Sequence, residues 1–243
     1  MKIIRALRTV NYRLWFAIFT TMLLPTVYQT VRIFFLGDMP SDSGINIASQ
    51  LQWVNLFYEV VQEALILPLF FLLGKSIDNR DEFANKVRTG LIVTAIIYAM
   101  VSVIVMLCAR PLVVLMAQDT ALSDATVTYV RLETVAALFS TLWRFMMTVL
   151  VTLKKDKYIY IVLIIQMVLS VLLDTFLISN LAVSAKLGVN GIAVTNIIVN
   201  AVILGCSILL LYRENIRLFA KQKRSFGWLN EWFKAVSYTH LTL

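Results

Sequence analysis

The stretch Val168–Gly191, VLSVLLDTFLISNLAVSAKLGVNG, decides the fold. It opens as a helix-length apolar run with one carboxylate, Asp174, inside it. It then passes through a short loop to a glycine-marked restart at Gly188 and Gly191. An acid at the centre of a membrane helix costs about +2.5–3.5 kcal/mol on insertion scales, so such a residue is a functional candidate by default. The rest of the chain reads as the scaffold that presents Asp174.

Composition supports a membrane setting. The 243 residues are 60% hydrophobic and 15% charged, with a mean hydropathy of +0.81. Soluble domains carry about 25% charged and about 45–50% apolar residues. About 20 apolar residues span a hydrocarbon core of about 30 Å. Six such stretches are present: Leu14–Leu36, Asn46–Leu73, Thr89–Ala109, Thr126–Thr152, Tyr158–Asn180 and Val189–Tyr212. Backbone polar groups in lipid must be satisfied within the segment, so these runs predict helices and an all-α polytopic membrane protein. The alternation in runs of about 10 residues that a membrane barrel requires is missing.

The net charge of +8 is a topology signal. Lys2, Arg5, Arg8 and Arg13 precede the first span, and Lys75, Arg80, Lys86 and Arg88 surround the loop after the second. Lys154, Lys155 and Lys157 follow the fourth span. Arg213, Arg217, Lys221, Lys223, Arg224 and Lys234 follow the sixth. The alternate connections hold only Arg110 and Lys186, while Arg32, Arg131 and Arg144 fall inside spans. By the positive-inside rule both ends of the chain are cytoplasmic. The bases thus face a lipid bilayer, and no nucleic-acid partner is expected.

Helix rise turns position into depth. Arg32, Asp174 and Thr195 lie about 6, 9 and 9 Å from the outer ends of their spans, so the three can meet in one outer-half cavity. Glu59 and Glu63, an i,i+4 pair on one face of span two, lie roughly 20–25 Å from its outer end. Arg144 in span four reaches a similar level, so an Arg144–Glu63 pair is geometrically open. Such charges can also simply orient helices against one another. Pro25 should kink span one. The segment 1–13 reads as a basic cytoplasmic surface segment, 14–212 as the helical domain, and 213–235 as a basic, aromatic, amphipathic linker on the cytoplasmic leaflet.

Residues 236–243, VSYTHLTL, look like the translated end of a sequencing adaptor, and the chain is expected to stop there because a read stopped. Setting them aside removes His240, the one histidine. Cys108 and Cys206 sit in apolar spans and read as small buried hydrophobes. No nucleophile–base constellation, metal cluster or phosphate loop is evident, so neither an enzyme nor a metal site or cofactor is expected.

Several segments, in order, resemble the multidrug and toxic compound extrusion (MATE) family of secondary transporters. They are LGKSIDNRDEFANKVRTG at 73–90, Tyr129–Arg131 as a Tyr-x-Arg, LSVLLDT at 169–175 and LGVNGIAVTN at 187–196. The resemblance spans about residues 12–235 and places the chain as the amino-terminal six-helix lobe. It implies a proton- or sodium-coupled antiporter in a bacterial inner membrane, exporting small amphipathic, often cationic drugs and metabolites. A carboxy-terminal lobe would be the missing partner. Asp174 falls on the family's helix-five acid, Thr195 on its helix-six Thr, and Ser170 where many members have Asn. Asp38 matches the helix-one acid only across a short gap, while an ungapped reading puts Arg32 one turn below that site. Arg32 beside Asp174 would be a fixed cation competing with the coupling ion. Arg32, Glu59, Glu63 and Arg144 are candidate cavity charges. Two alternatives stay open: a lipid-linked oligosaccharide flippase of the same superfamily, and a non-transporting membrane scaffold.

Overall fold

The computed structural model describes residues 12–38, 43–155, 157–219 and 224–241. The expected basic segment at 1–13 lies outside them up to residue 11. Six long helices follow the six apolar stretches: α1 Tyr12–Gly37, α2 Ser43–Gly74, α3 Arg80–Leu115, α4 Ser123–Thr152, α5 Lys157–Leu177 and α6 Val189–Arg213. A shorter α7, Leu229–Leu241, comes last. Among the described residues α2 to α6 are each long and apolar enough to cross a membrane, and α1, at 26 residues, has the length. The loops α1–α2, α3–α4 and α5–α6 mark a base-poor end, and the others a base-rich end.

Helix α4 is the hub. It packs against α6, α3 and α2, while α5 joins α6 to α1. Thus α1 leans mainly on α5, remote in sequence, and only lightly on its neighbour α2. The core runs through Tyr98, Val130, Phe145, Leu150 and Ile203, all fully buried.

Two helices differ in extent from the reading of the apolar runs. Helix α3 begins at Arg80 and continues past Pro111 to Leu115. Asn79 caps its start, its side chain accepting from Glu82 N at 3.3 Å, and Asp81 and Glu82 sit in the first turn, where the helix dipole favours acids. Pro111 forgoes one backbone bond only about a turn from the end, which a transmembrane helix tolerates. Helix α5 ends at Leu177 rather than Asn180, because Ile178 N and Ser179 N both turn back to the Asp174 carbonyl at 2.9 and 3.2 Å.

The α5–α6 connection folds over the end of α5. Ala185 N donates to Phe176 O and Leu187 N to Leu177 O, each at 2.8 Å. Gly188 then enters α6 with φ +59, in the left-handed region where glycine is favoured. A Cβ on Gly191 would run into Ile178 Cγ2, so the close hairpin needs glycine there.

The aromatic segment after α6 does not stand clear of the bundle. In α7 Trp232 is fully buried and its Nε1 donates to Leu65 O at 2.9 Å. Trp228, stacked on Trp232 at 5.3 Å, donates to Thr89 Oγ1 at 2.9 Å. Asn85 and Ser225 exchange two bonds, at 2.8 and 3.0 Å. The helix runs on through Val236, which packs against the core.

Candidate functional site

Depth arithmetic puts Arg32 and Asp174 at one level, and the packing of α1 on α5 brings them together. Arg32 Nε donates to Asp174 Oδ2 at 2.8 Å and Nη2 to Oδ1 at 3.3 Å, a two-pronged ion pair. Both carboxylate oxygens are thereby engaged, and Asp174 is 1% exposed. The remaining guanidinium nitrogen, Nη1, donates to Asn196 Oδ1 at 2.9 Å. The Asn196 amide donates in turn to Glu133 Oε1 at 2.7 Å. Glu133 is 7% exposed. One connected path therefore runs Asp174–Arg32–Asn196–Glu133 through α5, α1, α6 and α4. A buried ion pair survives only with good geometry and further hydrogen bonds, and here all three guanidinium nitrogens donate.

Beside the path is a cavity of about 250 Å³. Arg32, Glu133, Ser170 and Asn196 reach its wall, with Glu59 of α2 and Arg144 of α4. Amides and rings complete it: Trp143 Nε1 donates to Asn200 Oδ1 at 3.0 Å, and Gln62 Oε1 accepts from Thr141 at 3.4 Å. The walls of a lobe built largely of Leu, Ile and Val are mostly polar here.

The sequence-derived candidates divide. Asp174 and Arg32 pair, and Ser170, buried one turn before Asp174, lines the cavity. Thr195 does not join the path. It is fully buried with its Oγ1 lacking a hydrogen-bond partner among the described residues, and Asn196, one residue on, makes the contact instead. One residue is about 100° of helix rotation, and depth alone does not carry that angle. Asp38 is not at the cluster either. It follows the last residue of α1, where Asn180 Nδ2 donates to its Oδ2 at 2.9 Å and to its backbone carbonyl. It ties the end of α1 to the α5–α6 loop.

The Arg144–Glu63 pair does not form among the described ion pairs. Arg144 lines the cavity and lies 5.8 Å over the Trp143 ring, whereas Glu63 is exposed and off the cavity wall. Glu59, one turn before Glu63, lines the cavity. Glu133 and Asn196 were not singled out from the sequence. Their signal was facing: Arg131, two residues before Glu133, points outward and donates to Met106 O at 3.2 Å, which turns Glu133 towards the bundle.

Long apolar helices thus close around a cavity walled by polar and charged side chains. Two solved structures of the Vibrio cholerae MATE transporter VcmN share the fold. A point mutant superposes with a TM-score of 0.78 and the bent form with 0.77, each at 15% identity and each covering 93% of this chain. The match takes in 50% of those chains, so this chain spans about half their length. No family model and no curated protein matches the sequence. The fold is that of one MATE lobe.

Proposed function

We propose that this chain forms one lobe of a cation-coupled exporter in a bacterial inner membrane, moving small organic, often cationic molecules against an ion gradient. The observation that carries the reading is the buried Asp174–Arg32–Asn196–Glu133 path opening on a polar cavity. Charges this costly in a membrane interior mark ion pathways more readily than scaffolding. A second lobe, outside this chain, would close the substrate path, because alternating access needs two bodies rocking about a shared site.

The chemistry follows from competition. A cation entering this path, a proton or sodium, competes with the Arg32 guanidinium for the path's carboxyl groups. Arg32 then redistributes its bonds among α4, α5 and α6. An ion that binds the two arrangements with different affinity shifts the lobe between them. In the intact protein Asp174→Asn should cut gradient-driven efflux of a cationic dye from everted vesicles by about tenfold or more, within the range of typical coupling energies. Unchanged efflux would overturn the assignment.

One observation favours the flippase as a second reading. Arg144 stands on the cavity wall with no carboxylate paired to it among the described residues, a ready partner for a phosphate. Accumulation of lipid-linked sugar in a deletion strain, with drug resistance intact, would select it.

A further inference from the structure

The charge count of the buried path does not close. Asp174 and Glu133 bring two carboxyl groups, and Arg32 brings one positive charge. Asp174 takes the guanidinium on both oxygens. Glu133 accepts the neutral amide of Asn196 on Oε1 and has the neutral Tyr129 hydroxyl, one turn back on α4, as its other hydrogen-bond partner. Were both acids ionised, one uncompensated negative charge would sit inside the bundle, and a buried charge without a partner neutralises instead. One proton on Glu133 balances the set.

Among the described residues no other cation bonds to Glu133. Arg32 comes from α1, Asp174 from α5, and α6 offers the Asn196 amide. Glu59 of α2 and Arg144 of α4 lie on the wall of the shared cavity. On α3 the charged side chain towards this end, Arg110, is tied to Asp124. On α4 Arg131 faces outward to Met106 O.

Resting on the reading of this path as the ion-coupling site, we propose that Glu133 is the carboxyl that takes up and releases the coupling proton, and that Arg32 is a built-in cation standing on Asp174 where a sodium ion would otherwise bind. Loss of the Glu133 proton leaves two carboxylates sharing one guanidinium. Asn196 lies between them, accepting from Arg32 on one side and donating to Glu133 on the other, so it relays the change. The lobe is then driven by protons and is indifferent to sodium.

The test uses the intact protein in proteoliposomes under a pH gradient alone or a sodium gradient alone. Only the pH gradient should drive wild-type transport. Glu133→Gln should lower that flux by about tenfold or more, while Glu63→Gln, off the cavity wall, should not. Wild-type transport on a sodium gradient alone would overturn the proposal. So would a Glu133→Gln protein with wild-type pH dependence. If Asp174→Asn abolishes coupling and Glu133→Gln does not, this inference fails and the exporter reading stands; if neither matters, both fail. A readout free of mutation covers a variant that does not fold. The protonated-carboxyl infrared band present at neutral pH should shift on isotopic labelling of glutamate. A shift on labelling of aspartate instead would overturn the assignment.

Discussion

At the scale of residues, the Arg32–Asp174 pair makes the sharpest demand on stability. Removing one partner leaves the other charged and buried, which costs about 3–5 kcal/mol, whereas replacing both by apolar residues is often near neutral. Arg32→Ala should therefore lower the unfolding midpoint in detergent markedly. Arg32→Leu combined with Asp174→Leu should recover most of the loss, a non-additivity that a double-mutant cycle reads directly. This pair was legible in the sequence because depth in a straight helix is simple arithmetic. Which α6 residue completes it was not, since Thr195 and Asn196 differ by rotation and the rotation is set by packing of α6 on α4. Glu133 stayed hidden for the same reason: which face of α4 turns to the bundle is set by its packing on α6, α3 and α2.

At the scale of elements, the apolar runs gave all six long helices with their order and type. The ends were less legible wherever a side chain or loop bond overrode composition, as at Asn79, Pro111 and the turn after Leu177. The α5–α6 hairpin should be intolerant of bulk. Gly191→Ala must push against Ile178 Cγ2 and Leu187 Cβ, an overpacking that costs about 1–3 kcal/mol, and thermal unfolding will show it. The last helix is anchored differently, by indoles that bury both ring and N–H. Trp232→Ala removes the fully buried anchor of α7, a change of about 3–5 kcal/mol for Trp in a core. Hydrogen exchange should then rise across residues 229–241 while α4 and α6 stay protected. The amphipathic character of this stretch was readable from the sequence; that its two indoles dock on α2 and α3 depended on Leu65 offering a carbonyl and Thr89 a hydroxyl.

At the scale of the whole molecule, the two ends are fastened by different chemistry. At the base-rich end Glu214 accepts from Lys155 at 2.9 Å and from the Tyr158 hydroxyl at 3.0 Å. Arg80 donates to the Glu214 carbonyl at 3.0 Å. The Lys155 ammonium holds the Glu214 carboxyl below its ordinary range, and the carboxylate holds Lys155 above its own. Because the folded carboxyl is the stronger acid, its contribution is fully present above the unfolded value near 4.5 and is lost as pH falls through the folded one. The stability gap between wild type and Glu214→Gln should thus narrow on acidification through that window. It should also shrink at high salt, since the pair is solvent-facing. The charge asymmetry in the sequence foretold that bases collect at this end, but not that one acid gathers three segments there.

Helix α1 is pinned twice, by Arg32 to Asp174 and by Asp38 to Asn180, and both partners lie 142 residues further along the chain. The ribosome must therefore make the three intervening helices and most of α5 before either fastening exists. At typical synthesis rates that is a wait of roughly 7–30 s. During it an arginine sits in a membrane-bound helix with no native partner, at a cost of about 2.5–3.5 kcal/mol. Helix α1 is thus made well before it is secured, and a chaperone or insertase should hold it meanwhile. Site-directed crosslinking on stalled nascent chains should find α1 next to such a factor until α5 emerges. With Asp174→Leu that contact should persist after synthesis ends.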